Sequence, residues 1–116
     1  MKILIADDSQ FMRNVLKDIL NKAGYNNLVE CADGKECMEK YASEKPDLIL
    51  LDIIMPEMNG IEVLKEIGTA TKVIVISAVS QEKIIEEVKE LGALDYIVKP
   101  FDNEKVIEAV GKAINN

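Results

Sequence analysis

Short apolar runs alternate along this chain with longer segments in which apolar side chains recur every three or four residues. The runs have the length of strands and lack regular polar alternation, so we expect both of their faces to be covered. They lie at residues 2–6, 28–31, 48–51, 73–76 and 96–98. Each is followed by a helical stripe; the five stripes are Met12, Val15, Leu16, Ile19, Leu20 and Ala23; Cys37, Met38 and Tyr41; Ile61, Leu64 and Ile67; Ile84, Val88 and Leu91; and Val106, Ile107, Val110 and Ile114. The pattern predicts five strand-helix units.

Turn and capping residues separate these units. Ser9 is placed to cap the first helix, and Gly24 ends it. Asp33 opens the second helix, which Pro46 closes. The longest loop is predicted over residues 52–60, with its last glycine as the turn residue before the third helix. Because no low-complexity linker interrupts the series, residues 1–116 are expected to form a single domain.

Alternating strands and helices predict an α/β fold with a doubly wound parallel sheet. For five units the common strand order is 2-1-3-4-5, the flavodoxin-like order. This order reverses between the first and third strands, and ligands of such sheets bind there, beyond the carboxyl ends of the strands. We therefore expect the chemistry of the protein just after the first and third strands.

The composition limits the partners. Fourteen Lys and Arg against 21 Asp and Glu give a net charge of −7, so the surface repels nucleic acid and anionic lipid, and neither is an expected partner. No apolar run approaches the about 18 residues of a membrane helix, and the start of the chain is too short of apolar residues for a secretion signal. A soluble, cytoplasmic protein is expected.

The residue types also limit the chemistry. The chain contains no histidine, which excludes Ser-His-Asp and Cys-His nucleophiles and the commonest zinc ligand. Carboxylates, Lys and Ser must carry any reaction. The two cysteines, Cys31 and Cys37, are too few for a disulfide framework or a thiolate metal site, and we expect them to fill the core.

Polar residues directly follow four of the five predicted strands. Asp7 and Asp8 follow the first strand, Asp52 the third, Ser77 the fourth and Lys99 the fifth. Three carboxylates in one pocket repel one another by about 3 kcal/mol per pair at an effective dielectric of about 20, so a cation must compensate. Lys99 can offset one of these charges, and a divalent cation can offset the others. Mg2+ is suited to such a site, because it binds to one or two carboxylates, keeps several waters and also binds phosphate oxygens. A carboxylate beside Mg2+, a Lys and a hydroxyl is equipped to attack phosphorus and form an aspartyl phosphate.

The chain resembles response-regulator receiver domains over its whole length. Four segments carry the resemblance, in the order and at the spacing of that family: Asp7-Asp8-Ser9; Asp52 with Met55-Pro56-Glu57-Met58-Asn59-Gly60; Ser77-Ala78; and Asp95-Tyr96-Ile97-Val98-Lys99-Pro100-Phe101. The resemblance implies that Asp52 is the phosphoacceptor. It also implies that Asp8, Asp52 and the main-chain carbonyl of Ile54 bind Mg2+ directly, and that Asp7 binds it through a water.

The same resemblance assigns roles to residues of the last two strands. Ser77 and Lys99 would contact the phosphoryl group, and the Lys99-Pro100 peptide bond is expected to be cis. Ser77 and Tyr96 would form the switch, with Tyr96 filling the space that Ser77 vacates.

A protein of this family is a signalling switch that catalyses only its own phosphorylation and dephosphorylation. Among stand-alone members, the segments 7–13 and 96–101 look most like the chemotaxis regulators, which take phosphate from a histidine kinase and bind the flagellar motor. We expect a monomer that binds its target through the face of the fourth helix, fifth strand and fifth helix, with a possible phosphatase as a further partner. The alternatives are a stand-alone phosphorelay intermediate and a receiver domain cut from a longer response regulator.

Two other classes fit the residues less well. Mg2+-dependent phosphatases and mutases that form an aspartyl phosphate carry an Asp-x-Asp motif directly after one strand. In this chain Ile54 stands at the position of the second Asp. A flavin-binding module needs a hydroxyl- and glycine-rich phosphate loop after the first strand, where Asp7 and Asp8 would repel the phosphate.

Overall fold

The computed structural model describes residues 1–115 as five parallel strands that alternate with five helices. The elements are β1 (Ile3–Ala6), α1 (Gln10–Lys22), β2 (Leu28–Cys31), α2 (Gly34–Glu44), β3 (Leu48–Leu51), α3 (Gly60–Ile67), β4 (Lys72–Ser77), α4 (Glu82–Glu90), β5 (Asp95–Val98) and α5 (Asn103–Ile114). The strand order is β2-β1-β3-β4-β5. This confirms the predicted doubly wound, flavodoxin-like α/β fold. Within the described residues, no helix has the length and apolar character needed to cross a membrane.

Two apolar layers cover the two faces of the sheet. Leu4 and Ala6 belong to the layer under α2, α3 and α4, whereas Ile3 and Ile5 belong to the layer under α1 and α5. Successive residues of a strand point to opposite faces, so a strand that is covered twice reads as a continuous apolar run. The edge strands β2 and β5 are only partly buried. The expectation that every strand is covered on both faces is therefore wrong for these two, which lie at the margins of the helix layers.

Several element boundaries differ from the predicted ones. β4 is one residue longer at each end than predicted, because its pairing with β3 begins at Lys72 and its pairing with β5 continues to Ser77. Gly60 is the first residue of α3 and not a turn residue, since Asn59 caps this helix. Ile107 is 38% exposed and does not belong to the buried stripe of α5.

Cys31 and Cys37 are buried free thiols, as expected for residues that fill the core. The hydrogen bond with Cys37 and the burial of the site raise the pKa of the Cys31 thiol far above its usual range. The thiol of Cys31 therefore stays protonated and unreactive at neutral pH.

Candidate functional site

Three carboxylates meet where the neighbouring strands β1 and β3 end. Oxygens of Asp7, Asp8 and Asp52 all lie within 4.8 Å of one another. The register explains this, because Ala6 pairs with Leu51 and the Asp52 N–H donates to the Ala6 carbonyl at 2.9 Å. The two strands therefore leave the sheet at the same level, and an acid follows each of them.

Lys99 reaches this cluster from the end of β5. Its Nζ donates to Asp7 Oδ2 at 2.7 Å and to Asp52 Oδ2 at 2.9 Å. Burial alone would lower the pKa of Lys99, but the hydrogen bonds to Asp7 and Asp52 outweigh burial and raise it. Lys99 is therefore a permanent cation that two carboxylates share.

The carboxylates differ in their exposure. Asp7 is 1% exposed, and Asp8 is exposed. Burial raises the pKa of Asp7, although hydrogen bonds from Lys99 and from the Ser9 N–H oppose the rise. An ionised Asp7 is consequently costly in this structure.

The charges of the cluster do not balance. Asp7, Asp8 and Asp52 carry three negative charges when ionised, and Lys99 supplies one positive charge. At 4.8 Å and an effective dielectric of about 20, each carboxylate pair repels by about 3.5 kcal/mol. A divalent cation would neutralise the two remaining charges, and oxygen ligands suit a hard ion such as Mg2+. The donor set therefore fits the predicted metal.

The loop that follows Asp52 is closely packed. At two places its main chain lies so near a glycine, Gly60 or Gly34, that no larger residue would fit there. A Cβ on Gly60 would lie 2.3 Å from the Asp52 carbonyl oxygen. A Cβ on Gly34, at the start of α2, would lie 1.8 Å from the Met58 carbonyl oxygen. These approaches hold the loop in place, while the Ile54 N–H donates to Asp52 Oδ1 at 3.2 Å. The Ile54 side chain is 58% exposed.

Ser77, at the end of β4, is connected to β5 and to the loop after β4. Its Oγ accepts from the Val79 N–H at 3.3 Å, and the Tyr96 hydroxyl donates to the Val79 carbonyl. The Lys99 N–H donates to the Ser77 carbonyl at 2.9 Å, and the Lys99-Pro100 peptide bond is cis. Burial raises the pKa of the half-buried Tyr96, so its hydroxyl remains a donor.

The structure thus brings most of the predicted site residues into one hydrogen-bonded group. Asp7, Asp52 and Lys99 are in direct contact, and Asp8 lies beside them. Among residues 1–115, no hydrogen bond joins the Ser77 hydroxyl to Asp52. Ser77 belongs instead to the group that contains Tyr96.

Arg13 is not among the predicted site residues, although its side chain contacts the site. Arg13 is 9% exposed, and one of its guanidinium nitrogens, Nη1, donates to the Asp7 carbonyl at 2.6 Å. The one feature of the sequence that could have indicated a buried role for Arg13 is its position three residues before Leu16, on the inner face of α1.

Comparisons with known proteins agree with this geometry. Residues 3–111 match the model of the response regulator receiver domain. The chemotaxis protein CheY of Thermotoga maritima is 48% identical over 114 residues, which cover 96% of this chain and 95% of that protein. Sporulation initiation phosphotransferase F of Bacillus subtilis is 41% identical over 114 residues, with 96% and 91% covered.

A solved structure shows the same likeness in three dimensions. A chain of the crystal structure of the CheX-CheY-BeF3-Mg+2 complex from Borrelia burgdorferi superposes with a TM-score of 0.93. It is 36% identical, and the match covers 98% of this chain and 89% of that chain. The chain therefore belongs to the response regulator receiver domain family, and it is a CheY-like component of two-component signalling.

Proposed function

We propose that Asp52 accepts a phosphoryl group from the phosphohistidine of a histidine kinase, in a Mg2+-dependent reaction. The observation that carries the proposal is the placement of Asp52. One carboxylate oxygen is held by the Ile54 N–H, the other by Lys99, and two further carboxylates lie within 4.8 Å. In the transfer the donor's phosphorus–nitrogen bond breaks and a bond from phosphorus to an Asp52 oxygen forms.

The metal would be held by Asp8, Asp52 and the main-chain carbonyl of Ile54, with Asp7 acting through a water. Bound Mg2+ would neutralise charge on the oxygens of the incoming phosphoryl group. The excess of negative charge supports this assignment, as does the Mg2+ named in the related CheX-CheY complex.

Lys99 and Ser77 would stabilise the transferred group. Lys99 Nζ already lies 2.9 Å from Asp52 Oδ2, so a small displacement would bring it to a phosphoryl oxygen. The Ser77 hydroxyl accepts a bond from the Val79 N–H, and its own hydrogen would turn from Tyr96 to donate to the phosphoryl group.

The output of the switch would be a protein contact on the face of α4, β5 and α5. If Ser77 moves toward the phosphoryl group, its bond with Val79 is lost, and Tyr96 moves because its hydroxyl is bonded to the same loop. Val98 and Ile107 expose 37% and 38% of their surface. Beside Val98 lies a groove of about 540 Å³, which the Phe101 and Lys105 side chains also line. These features support a target-binding surface there.

We further propose that residues 1–116 form one receiver domain that acts as a monomer in control of the flagellar motor. The likeness to CheY proteins supports this role. The second candidate is a phosphorelay intermediate, which the 41% identity to sporulation initiation phosphotransferase F supports. A phosphatase partner is also proposed, because the CheY of Borrelia burgdorferi forms a complex with a second protein, CheX.

Phosphorylation by a small acyl phosphate tests the proposed chemistry. The wild-type protein should be labelled only when a divalent ion is present, and Asp52→Asn should not be labelled. Asp18→Asn is the matched control, since Asp18 is an exposed carboxylate on α1 and should leave labelling unchanged. Full labelling of Asp52→Asn, or labelling of the wild type in excess chelator, would contradict the proposal.

A pull-down with and without beryllofluoride tests the output. Capture of a flagellar motor protein only in the presence of beryllofluoride would support the chemotaxis role. Capture of a second phosphotransfer protein, with no motor protein, would favour the phosphorelay role.

A further inference from the structure

We propose that Arg13 is a positioning residue of the metal site. Its guanidinium holds the main-chain carbonyl of Asp7 and thereby sets the direction in which the Asp7 and Asp8 carboxylates point. The inference rests on the Mg2+ site proposed above, and it adds a residue that lies outside the set of proposed ligands.

The guanidinium of Arg13 is fixed by three different acceptors. Nη1 donates to the Asp7 carbonyl at 2.6 Å, Nε donates to Glu30 Oε1 at 3.0 Å, and Nη2 donates to Gln10 Oε1 at 2.6 Å. The group is planar, so three bonds in different directions leave it no freedom to turn. A bond from a charged donor to a carbonyl is also stronger than one between neutral groups.

Glu30 anchors this arrangement to the edge strand β2. Its other oxygen, Oε2, accepts from Lys17 Nζ at 2.9 Å. The hydrogen bond from Lys17, followed by that from Arg13, lowers the pKa of Glu30, although partial burial opposes the shift. Glu30 therefore stays ionised at neutral pH and holds Arg13 through charge as well as geometry.

The Asp7 carbonyl matters because it belongs to the peptide group that joins Asp7 to Asp8. The N–H of Asp7 donates to the Cys31 carbonyl of β2 at 3.1 Å, and its Oδ1 accepts from the Ser9 N–H at 2.9 Å. Arg13 holds the one remaining main-chain group of Asp7. If this bond is lost, the peptide plane can rotate, and rotation carries the exposed Asp8 away from its position within 4.8 Å of the other carboxylates.

A purely electrostatic role for Arg13 predicts the opposite effect. Without positioning, removal of a positive charge near an acidic cluster would strengthen the binding of a divalent cation. With positioning, removal of Arg13 weakens it, because the carboxylates no longer converge. The sign of the change therefore separates the two roles.

The test compares Mg2+ affinities by calorimetric titration of the wild type, Arg13→Gln and Lys17→Gln. Lys17→Gln is the matched control, because it removes an equal charge from the same helix and from the same partner, Glu30. Arg13→Gln should bind Mg2+ about tenfold more weakly, as when other groups that orient metal ligands are removed. Lys17→Gln should bind with unchanged or slightly higher affinity. An unchanged or higher affinity in Arg13→Gln would overturn the inference.

Arg13→Lys provides a second variant in case Arg13→Gln does not fold. It keeps the positive charge but loses the planar fork, so it should bind Mg2+ several-fold more weakly than the wild type. An affinity equal to that of the wild type would overturn the inference, since charge alone would then be sufficient.

A metal-free measurement separates this inference from the proposed function. The Ser9 amide, which donates to Asp7 Oδ1, should exchange its hydrogen faster in the folded Arg13 variants and at the wild-type rate in Lys17→Gln. If the wild type bound no Mg2+, the proposed function would fail while the exchange rates still decided whether Arg13 orders this loop. Unchanged Ser9 exchange in the Arg13 variants would overturn the inference.

Discussion

Asp7→Asn should stabilise the metal-free protein at neutral pH. Asp7 is 1% exposed and lies within 4.8 Å of two other carboxylates. The substitution keeps the size of the side chain and an oxygen that can accept the Ser9 N–H, but it removes the charge. Asp7→Asn should therefore avoid the free-energy cost of burying a charged carboxylate and keep most of the packing contacts of the side chain.

The size of this stabilisation depends on opposing electrostatic contributions at Asp7. At an effective dielectric of about 20, the repulsion between Asp7 and Asp52 is about 3.5 kcal/mol at 4.8 Å, and the attraction to Lys99 is about 6 kcal/mol at 2.7 Å. Asp8 adds a second repulsion, so the Coulomb terms nearly cancel and the desolvation of Asp7 decides the sign. Replacement of a whole buried ion pair by neutral groups can be stabilising by about 1–4 kcal/mol, whereas removal of one partner is destabilising when it leaves a buried charge unpaired. Lys99 is not left unpaired here, because it also donates to Asp52. The Asn side chain has one acceptor oxygen, which takes the Ser9 N–H, so its bond with Lys99 is lost and Lys99 keeps Asp52 as its partner. We therefore expect a gain at the lower end of this range, about 1 kcal/mol.

The gain should depend on pH in a defined direction. The pKa of Asp7 is raised in the folded state, so folding favours its protonated form. The wild type is therefore relatively more stable at low pH and loses this stability as the pH rises through the folded-state pKa. The advantage of Asp7→Asn should be full at pH 7 and should shrink as the pH falls, since the wild-type carboxyl then becomes neutral as well.

Urea unfolding in chelator and in saturating Mg2+ measures these effects. Asp8→Asn serves as the control, because Asp8 is exposed and its removal should give a smaller gain. In Mg2+ the advantage of Asp7→Asn should fall, since the metal stabilises the wild type. The reasoning is refuted if Asp7→Asn is less stable than the wild type in chelator at pH 7, or if its advantage grows toward low pH.

Three further predictions concern the switch, the lifetime of the phosphoryl group and the loop after β3. Ser77→Ala should leave Asp52 open to phosphorylation, measured by labelling, while weakening target binding in a pull-down. Ile54→Asn combined with Val79→Glu should speed the loss of phosphate about tenfold in a decay assay, because neither native side chain can orient the attacking water, and about 1.4 kcal/mol of barrier is one decade. Gly34→Ala should lower the free energy of unfolding by about 3 kcal/mol in urea, since its Cβ would meet a carbonyl oxygen at 1.8 Å.

Each of these predictions has a contrary outcome. Wild-type target affinity in phosphorylated Ser77→Ala would rule out its part in the switch. Decay of the double variant at the parental rate or slower would show that Ile54 and Val79 do not control the water. For the loop, Gly111→Ala is the control, because nothing lies within 4 Å of the added Cβ and α5 should gain up to about 1 kcal/mol. A Gly34→Ala protein as stable as the wild type would contradict the packing explanation.

Local patterns predicted most of the fold. β2 and β3 were predicted to the residue. For β3 the reason is plain, because this apolar run lies between Asp47 and Asp52. The predicted ends of an element were wrong where pairing with another strand, or a capping residue, determines them. Ser77 extends β4 because it pairs with Val98, and no property of Ser77 itself favours a strand. Gly60 joins α3 because Asn59 supplies the cap.

The candidate site was predictable to the extent that its residues follow strands. Asp52 and Lys99 are 47 residues apart, and the parallel sheet alone brings them to one edge. Arg13 and Gly34 could not be found in this way. Their roles depend on Glu30 and on the carbonyl of Met58, which are distant in the sequence and which no local pattern connects to them.

The sharing of Lys99 between Asp7 and Asp52 has a consequence for the order in which the chain assembles. The two carboxylates belong to the central strands β1 and β3, whereas Lys99 follows the edge strand β5 and is 92 residues from Asp7. If the central pair forms first, as during synthesis from the amino terminus, the carboxylates approach each other before their counterion arrives. The repulsion then slows early pairing of the strands and is released when β5 docks. Salt, which screens this repulsion, should accordingly accelerate refolding.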